Sequence, residues 1–589
     1  MKLKQGFRFP NPFGLSLSKP CPSPFQHKRK CKASTGSART GWGLAACLFA
    51  VGVSLAGPSM AQQQPSPAPA ARPKLVVVIS VDQYSADLFA EYRGLYTGGL
   101  RRLSQGVVFP AGYQSHASTE TCPGHSTILT GDRPGRTGII ANNWYDQSAT
   151  RTDKYIYCSE DERVAGSSSD HYTVSDLHLR VPTLGDLMQR VDPRSRVVAV
   201  AGKDRAAVMM GGHNPTERWY WGGRAFVSDR AGAREPGPVT QANNRITTAL
   251  TRPRDAMSLP DACQSRDRAI PLAGGASVGT GRFARGENDR SAFRASPDFD
   301  REVLTIAEGM RDDMRLGEGA STDLLIIGLS ATDYIGHSFG TRGTEMCIQQ
   351  FALDRILGDF FQDLDREGVD YVVMLTADHG GIDLPERSAE TGAPTAARVD
   401  PALNATAMGQ ALGRRLRLQG PVLLGDGAFG DMWIDRGLAP RVRTRVLAEA
   451  VRAYEAHPQV QTAFTRAELA AAPLPAGPPE TWSLIQRARA SFDPERSGDL
   501  YVVLKPRITP IATTGRGYVA THGSIWDYDR RVPILFWRRG MTGFEQPLSV
   551  ETVDIMPSLA GLIGLPLATG SVDGRCLDLI AGPGTSCPN

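Results

Sequence analysis

A threonine hydroxyl is a poor nucleophile near neutral pH and needs a base or a metal to help remove its proton. The stretch Glu120-Thr121-Cys122-Pro123-Gly124-His125-Ser126-Thr127 presents such a hydroxyl at a predicted helix start, because Pro123 fits a first helical turn without cost. Unpaired N–H groups and the helix macrodipole favour an anion there, so a phosphoryl or sulfuryl group could rest against the Thr121 oxygen. Taken alone, the same stretch reads as a helix with Thr121 as its N-cap.

Metal-type residues in four further places shift that balance. The apolar run Lys74–Val81 reads as a buried parallel strand and delivers Asp82 at its carboxyl end, the edge where ligands of open α/β sheets gather. Asp323–Gly328 is a second such run and is followed by Asp333-Tyr-Ile-Gly-His337. Tyr371–Thr376 leads into Asp378-His379-Gly380-Gly381, and Thr521-His522-Gly523 stands just ahead of the apolar run 532–537. Each group alone reads as a turn, a cap or a satisfied polar side chain. Together they supply three histidines and three aspartates, nitrogen and oxygen ligands suited to zinc. Arg196–Val200 reads as one more strand, so Lys203 and Arg205 also emerge at a strand end. A Lys point charge and an Arg fork there would pair with a phosphate monoester dianion.

The ordered set Thr121-Cys-Pro-Gly-His125, Thr130-Gly131, Gly138–Asp146, Asp333-x-x-Gly-His337, Asp378-His-Gly380 and Thr521-His-Gly523 resembles the alkaline phosphatase superfamily. Within it the chain is most similar to secreted bacterial alkaline phosphatases with a threonine nucleophile, which are related to nucleotide pyrophosphatase/phosphodiesterases. The resemblance runs from about residue 74 to 566. It implies two Zn2+ ions, one on Asp333, His337 and His522 and one on Asp82, Asp378 and His379, with Thr121 bridging metal and substrate; an accessory Ca2+ or Mg2+ is left open. It further implies that Asn142 touches a phosphoryl oxygen, that Lys203 and Arg205 mark a monoesterase, and that hydrolysis passes through a covalent phosphothreonine. Small-molecule phosphate monoesters are the expected substrates. A phosphodiesterase or phosphonate esterase on the same site is the alternative, and a non-enzymatic zinc-binding secreted protein a third reading. Sulfatases mature a Cys in a Cys-x-Pro-x-Arg context; the residues after Cys122 break that spacing. His116 and His125 match no ligand position and are read as structural.

These residues need a frame that brings distant strand ends together. Strands alternating with helical patterns, such as Leu353, Ile356, Leu357, Phe360 and Leu364 ahead of the strand at 371, argue an α/β fold. The expectation is an alkaline-phosphatase-like, mostly parallel sheet with helices on both faces, plus cap insertions. A catalytic domain over 73–589 is expected to carry insertions at about 206–320 and 382–520.

Ahead of that domain, residues 1–61 read as a signal peptide with an upstream extension. The apolar stretch 42–56 is short for a bilayer span and is followed by the small-residue pattern Ser59-Met60-Ala61; an uncleaved anchor is the alternative. Residues 62–72, rich in Gln, Pro and Ala, read as a disordered leader. The first 61 residues hold nine Lys or Arg and no acidic residue, so their removal takes the formal net charge from +5 to −4. The apparent basicity is a targeting feature, with no nucleic-acid-binding module and no membrane span after cleavage. A periplasmic or extracellular location follows, with the oligomeric state open. Six cysteines remain, an even number that permits disulfides, and Cys576 with Cys587 is read as a carboxyl-terminal staple.

Overall fold

The computed structural model describes residues 72–588 apart from 231, 274 and 426. The signal-peptide reading, and the leader reading except for Arg72, lie outside the described residues. The central sheet has ten strands: β1 (Leu75–Val81), β2 (Val107–Tyr113), β3 (Val197–Ala201), β4 (Glu217–Trp221), β5 (Phe226–Val227), β6 (Asp323–Leu329), β7 (Tyr371–Thr376), β8 (Arg531–Arg538), β9 (Phe544–Glu545) and β10 (Val550–Glu551). Their order is β9-β2-β8-β7-β1-β6-β3-β4-β5, with β10 also on β2.

β1 runs parallel to both β6 and β7, and β3 runs parallel to β6 and β4. The registers Val81↔Leu329, Ser80↔Thr376 and Gly328↔Ala201 bring four strand ends to one edge. Asp82, Lys203, Asp333 and Asp378 follow those ends within a few residues. β8 is antiparallel to β7 and β2, which makes the sheet mixed.

Every residue of β1 is buried, as a strand covered on both faces requires. Its alternation divides the core in two. Leu75, Val77, Ile79 and Val81 pack on one side with the helices α2 (Pro297–Met314) and α3 (Thr344–Arg366). Val76 and Val78 pack on the other with Ile128 and Leu129 of α1 (Thr121–Thr130) and with α4 (Ile555–Ile563). Burial of each such aliphatic side chain stabilises the fold by roughly 1.5–3 kcal/mol.

The stretch 206–320, expected as an insertion, does not stand apart as a unit. It supplies β4 and β5 to the sheet edge and α2 to its face, because Arg218 to Trp221 and the apolar stripe of α2 are buried against the sheet. The stretch 382–520 holds a separate antiparallel sheet, in the order 423–424, 430–434, 500–504, 460–465, with its own apolar core. Among the described residues the disulfides are Cys122–Cys158, Cys263–Cys347 and Cys576–Cys587, and no helix is long and apolar enough to cross a membrane.

Candidate active site

Helix α1 begins at Thr121, with Glu120 as its N-cap residue. The Thr121 hydroxyl therefore caps nothing and lies on the first turn of a fully buried helix. Two turns of chemistry-bearing sequence are pinned there by close backbone approach: a Cβ on Gly124 would lie 2.0 Å from the Asp378 carbonyl oxygen. Gly124→Ala must push α1 away from the loop after β7. We expect it to cost about 2–3 kcal/mol of stability in urea unfolding and at least tenfold in hydrolysis.

Asp82, Asp378 and His379 form one group of potential ligand atoms, and Asp333, His337 and His522 a second, each with its atoms within 4.8 Å of one another. In the first, His379 Nε2 lies 3.3 Å from Asp378 Oδ2 and 3.5 Å from Asp82 Oδ1. In the second, Asp333 Oδ1 lies 3.2 Å from His337 Nε2 and 3.4 Å from His522 Nε2. Donors on arms of about 2.0–2.1 Å around a tetrahedral ion stand about 3.3 Å apart. The histidines are also set for the task. Nδ1 of His337 pairs with the Ala520 carbonyl, Nδ1 of His379 with that of Gly380 and Nδ1 of His522 with that of Thr119, each at 2.8 Å. A carbonyl can only accept, so Nδ1 carries the proton and each Nε2 turns a lone pair inward. Asp82 Oδ1, Asp378 Oδ2 and His379 Nε2 are buried with no hydrogen-bond partner, a cost that a bound cation would remove. The donor sets fit divalent metal ions.

The two groups touch. The rings of His379 and His522 stack at 3.6 Å between centroids. Lys203 Nζ bridges Asp82 Oδ2 and Asp333 Oδ2 at 2.6 Å each and stands 3.4 Å from Thr121 Oγ1. Burial pulls the ammonium down, but the Asp333 and Asp82 carboxylates outweigh it and hold Lys203 above the usual lysine range. Burial, then Asp333 and Asp378, push Asp82 up; burial opposes ionisation of Asp333 too, yet His337 and Lys203 keep it well below the carboxylate range. Burial pushes His379 down to about 3, which leaves it a neutral imidazole at working pH.

Above this buried layer lies a cavity of about 390 Å³. Thr121, Asn142, Arg205, His337 and His522 line it, together with Glu120 and, from the separate sheet, Phe429, Asp431 and Trp433. Asn142 Oδ1 accepts from the Cys122 N–H at 2.8 Å and its own N–H donates to Glu120 Oε2 at 2.6 Å, which fixes the amide beside the nucleophile. The anticipated residues thus fall in two layers, with Thr121, Asn142, Arg205, His337 and His522 on the cavity wall and Asp82, Lys203, Asp333, Asp378 and His379 buried. The two cations differ: Arg205 lines the cavity, whereas Lys203 lies beneath it among the carboxylates.

Other residues carry no motif and were not anticipated. Gln83 has φ 65°, in the left-handed region, and joins the two ligand groups: its N–H donates to Asp378 Oδ1 at 3.1 Å and its side-chain amide to Asp333 Oδ1 at 3.2 Å. The glycine of Asp333-x-x-Gly-His337 is explained by it, since a Cβ on Gly336 would fall 1.6 Å from Gln83 Oε1. His125, read as structural, places Nδ1 2.9 Å from the Thr121 carbonyl oxygen and 3.2 Å from Asp378 Oδ2, so it stands against the nucleophile turn and one donor set without belonging to either group of ligand atoms. His116 is buried with neither ring nitrogen hydrogen-bonded and belongs to neither group.

The family model for type I phosphodiesterase / nucleotide pyrophosphatase matches residues 76–525. The chain is 58% identical over 522 residues to alkaline phosphatase PhoK of Sphingomonas sp, covering 88% of this chain and 93% of that one. It is 49% identical over 519 residues to alkaline phosphatase PhoD of Zymomonas mobilis, covering 87% and 89%. The crystal structure of alkaline phosphatase PafA superposes with a TM-score of 0.75 at 24% identity, over 87% of this chain and 99% of that one, which shows the shared fold.

Proposed function

This chain belongs to the type I phosphodiesterase / nucleotide pyrophosphatase family, and from that premise we propose that it is a metal-dependent alkaline phosphatase cleaving phosphate monoesters through a phosphothreonine. One observation carries the reading: a hydroxyl with no capping duty, at the amino end of a buried helix, beside two Asp/His donor sets.

Two Zn2+ ions, one on Asp82, Asp378 and His379 and one on Asp333, His337 and His522, would lower the pKa of the Thr121 hydroxyl and neutralise the leaving oxygen. Thr121 Oγ1 attacks phosphorus in line, the bond to the ester oxygen breaks, and the alcohol departs. Water then attacks the same phosphorus from the opposite side, freeing phosphate and restoring the hydroxyl. The α1 amides, the Asn142 amide and Arg205 stabilise charge on the equatorial oxygens. Lys203 Nζ, 3.4 Å from Thr121 Oγ1, favours the threonine in its alkoxide form.

The test is hydrolysis of an aryl phosphate monoester and the matching diester by zinc-loaded protein, with a chelated control. Chelator-sensitive monoester preference at alkaline pH is the expected result; a diester preference would move the chain to the diesterase reading and unseat Arg205 as a dianion clamp. The disulfides fit an oxidising compartment, and we read the chain as exported to the periplasm or beyond.

The cavity wall also carries a titrating group. Burial, with Glu120 adding to it, pushes Asp431 up to about 7, against the Gly498 N–H and Arg466. The raised value means that the stability Asp431 lends is complete below the ordinary carboxylate pKa and is lost as pH rises through about 7. Across pH 6–8 the wall therefore gains a negative charge. We expect kcat/KM for a phosphomonoester with a carboxylate-bearing leaving group to fall about fivefold over that interval relative to a neutral one, and Asp431→Asn to flatten the ratio.

A further inference from the structure

Arg205 reaches the cavity only because something holds it. Its Nη1 donates to Tyr157 Oη at 3.3 Å, while its Nε has no partner. Tyr157 is itself buried and tightly oriented. Its hydroxyl donates to Asp204 Oδ1 at 2.9 Å, and the other oxygen of the same carboxylate accepts from the Tyr172 hydroxyl at 2.8 Å. The two tyrosine rings lie 4.6 Å apart, and the Tyr157 N–H donates to the buried Glu160 Oε1 at 2.8 Å.

The polarity of this chain is fixed by elementary bookkeeping. A phenol has one proton, and an ionised carboxylate can only accept. Tyr157 must give its proton to Asp204, which leaves a lone pair for Arg205 and nothing else to offer it. Arg205 is thereby anchored by one nitrogen, with its remaining donors available to a phosphoryl group. The next residue, Cys158, is bonded to Cys122, and the Cys158 N–H donates to the Asn142 carbonyl at 2.9 Å. Two consecutive residues, Tyr157 and Cys158, thus connect the nucleophile turn, the Asn142 amide and the Arg205 guanidinium.

We propose that Tyr157, oriented by Asp204 and Tyr172, is a positioning residue that sets the Arg205 guanidinium for the phosphoryl dianion. The proposal rests on Arg205 being the dianion clamp, and the experiment separates the two claims. Tyr157→Phe keeps the ring and its packing but removes the acceptor. It should lower kcat/KM for an aryl phosphate monoester about tenfold, the scale of a lost hydrogen bond to a charged group, and raise the Ki of inorganic phosphate by a similar factor. Its melting temperature should stay within about 2 °C of the parent.

The decisive step is a double-mutant cycle with Arg205→Ala. In the Arg205→Ala background, Tyr157→Phe should cost less than twofold. If it still costs tenfold there, Tyr157 acts through packing and the proposal falls while the clamp stands. If Arg205→Ala leaves kcat/KM and the phosphate Ki unchanged, the clamp itself is wrong and Tyr157 has nothing to position. Asp204→Asn provides the same reading should Tyr157→Phe fold poorly: with the anion gone the hydroxyl is free to turn, and a loss of roughly threefold to tenfold that vanishes in the Arg205→Ala background supports the relay. An Asp204→Asn protein with parental kcat/KM and phosphate Ki would overturn it.

Discussion

Thr121→Ala lowers kcat for an aryl phosphate monoester by at least about 10³, the scale seen when a nucleophile that works with its activating partners is removed, and leaves the melting temperature within a few degrees of the parent. Both halves follow from where the side chain stands. The N-cap of α1 is Glu120, so the hydroxyl completes no helix end, and its contact to Lys203 Nζ is a long 3.4 Å. Alanine keeps the helix and removes the attacking oxygen. Thr121→Ser keeps an oxygen at the same position and should retain activity to within roughly 10²-fold, the deficit arising from a freer rotamer once the β-methyl is gone. Acid quench during turnover should trap phosphate on the parent and on Thr121→Ser but none on Thr121→Ala. Full activity in Thr121→Ala would overturn the nucleophile assignment and with it the phosphothreonine route.

The candidate constellation was legible in the sequence because its residue types are local at each point. An apolar strand followed at once by Asp82, or by Asp378-His379, states both the element and the ligand it delivers. What joins those points was not legible. Gln83 holds both Asp333, 250 residues along the chain, and Asp378, 295 residues along it, through a left-handed backbone turn that no residue-type rule announces for glutamine. Asp431 reaches the cavity from a separate sheet and Tyr157 reaches Arg205 from a disulfide loop, both in segments without motifs.

The stretch 206–320 reads as weakly periodic for a related reason. Arginine and glycine abundance obscured β4, whose Arg218 is buried and holds Asp229 and Asp176. A charged residue inside a strand weakens the apolar signal on which such a reading depends. The motif glycines were visible as letters, but the reasons for two of them are contacts: Gly124 against the Asp378 carbonyl and Gly336 against the Gln83 amide.

Removal of bound metal should destabilise this protein as well as silence it. Asp82, Asp333 and Asp378 are buried within one small volume, and Lys203 supplies a single positive charge between two of them. Buried carboxylates that lack a counter-charge cost several kcal/mol each, and here three oxygens or nitrogens already stand buried without partners. A ligand present at a thousand times its dissociation constant stabilises the native state by about 4 kcal/mol per site. Two occupied sites thus contribute about 8 kcal/mol, which in a chain of this size corresponds to a melting-temperature drop on the order of 7 °C when both are stripped. Exhaustive chelation should produce that drop together with loss of monoester hydrolysis, and added Zn2+ should restore both. Asp333→Asn separates the two donor groups. It should abolish hydrolysis while recovering only about half of the thermal stabilisation on Zn2+ addition, since Asp82, Asp378 and His379 remain intact. A chelated protein that melts at the parental temperature would mean that Lys203 and the histidines alone balance the three carboxylates, and the two donor groups would no longer be read as metal sites.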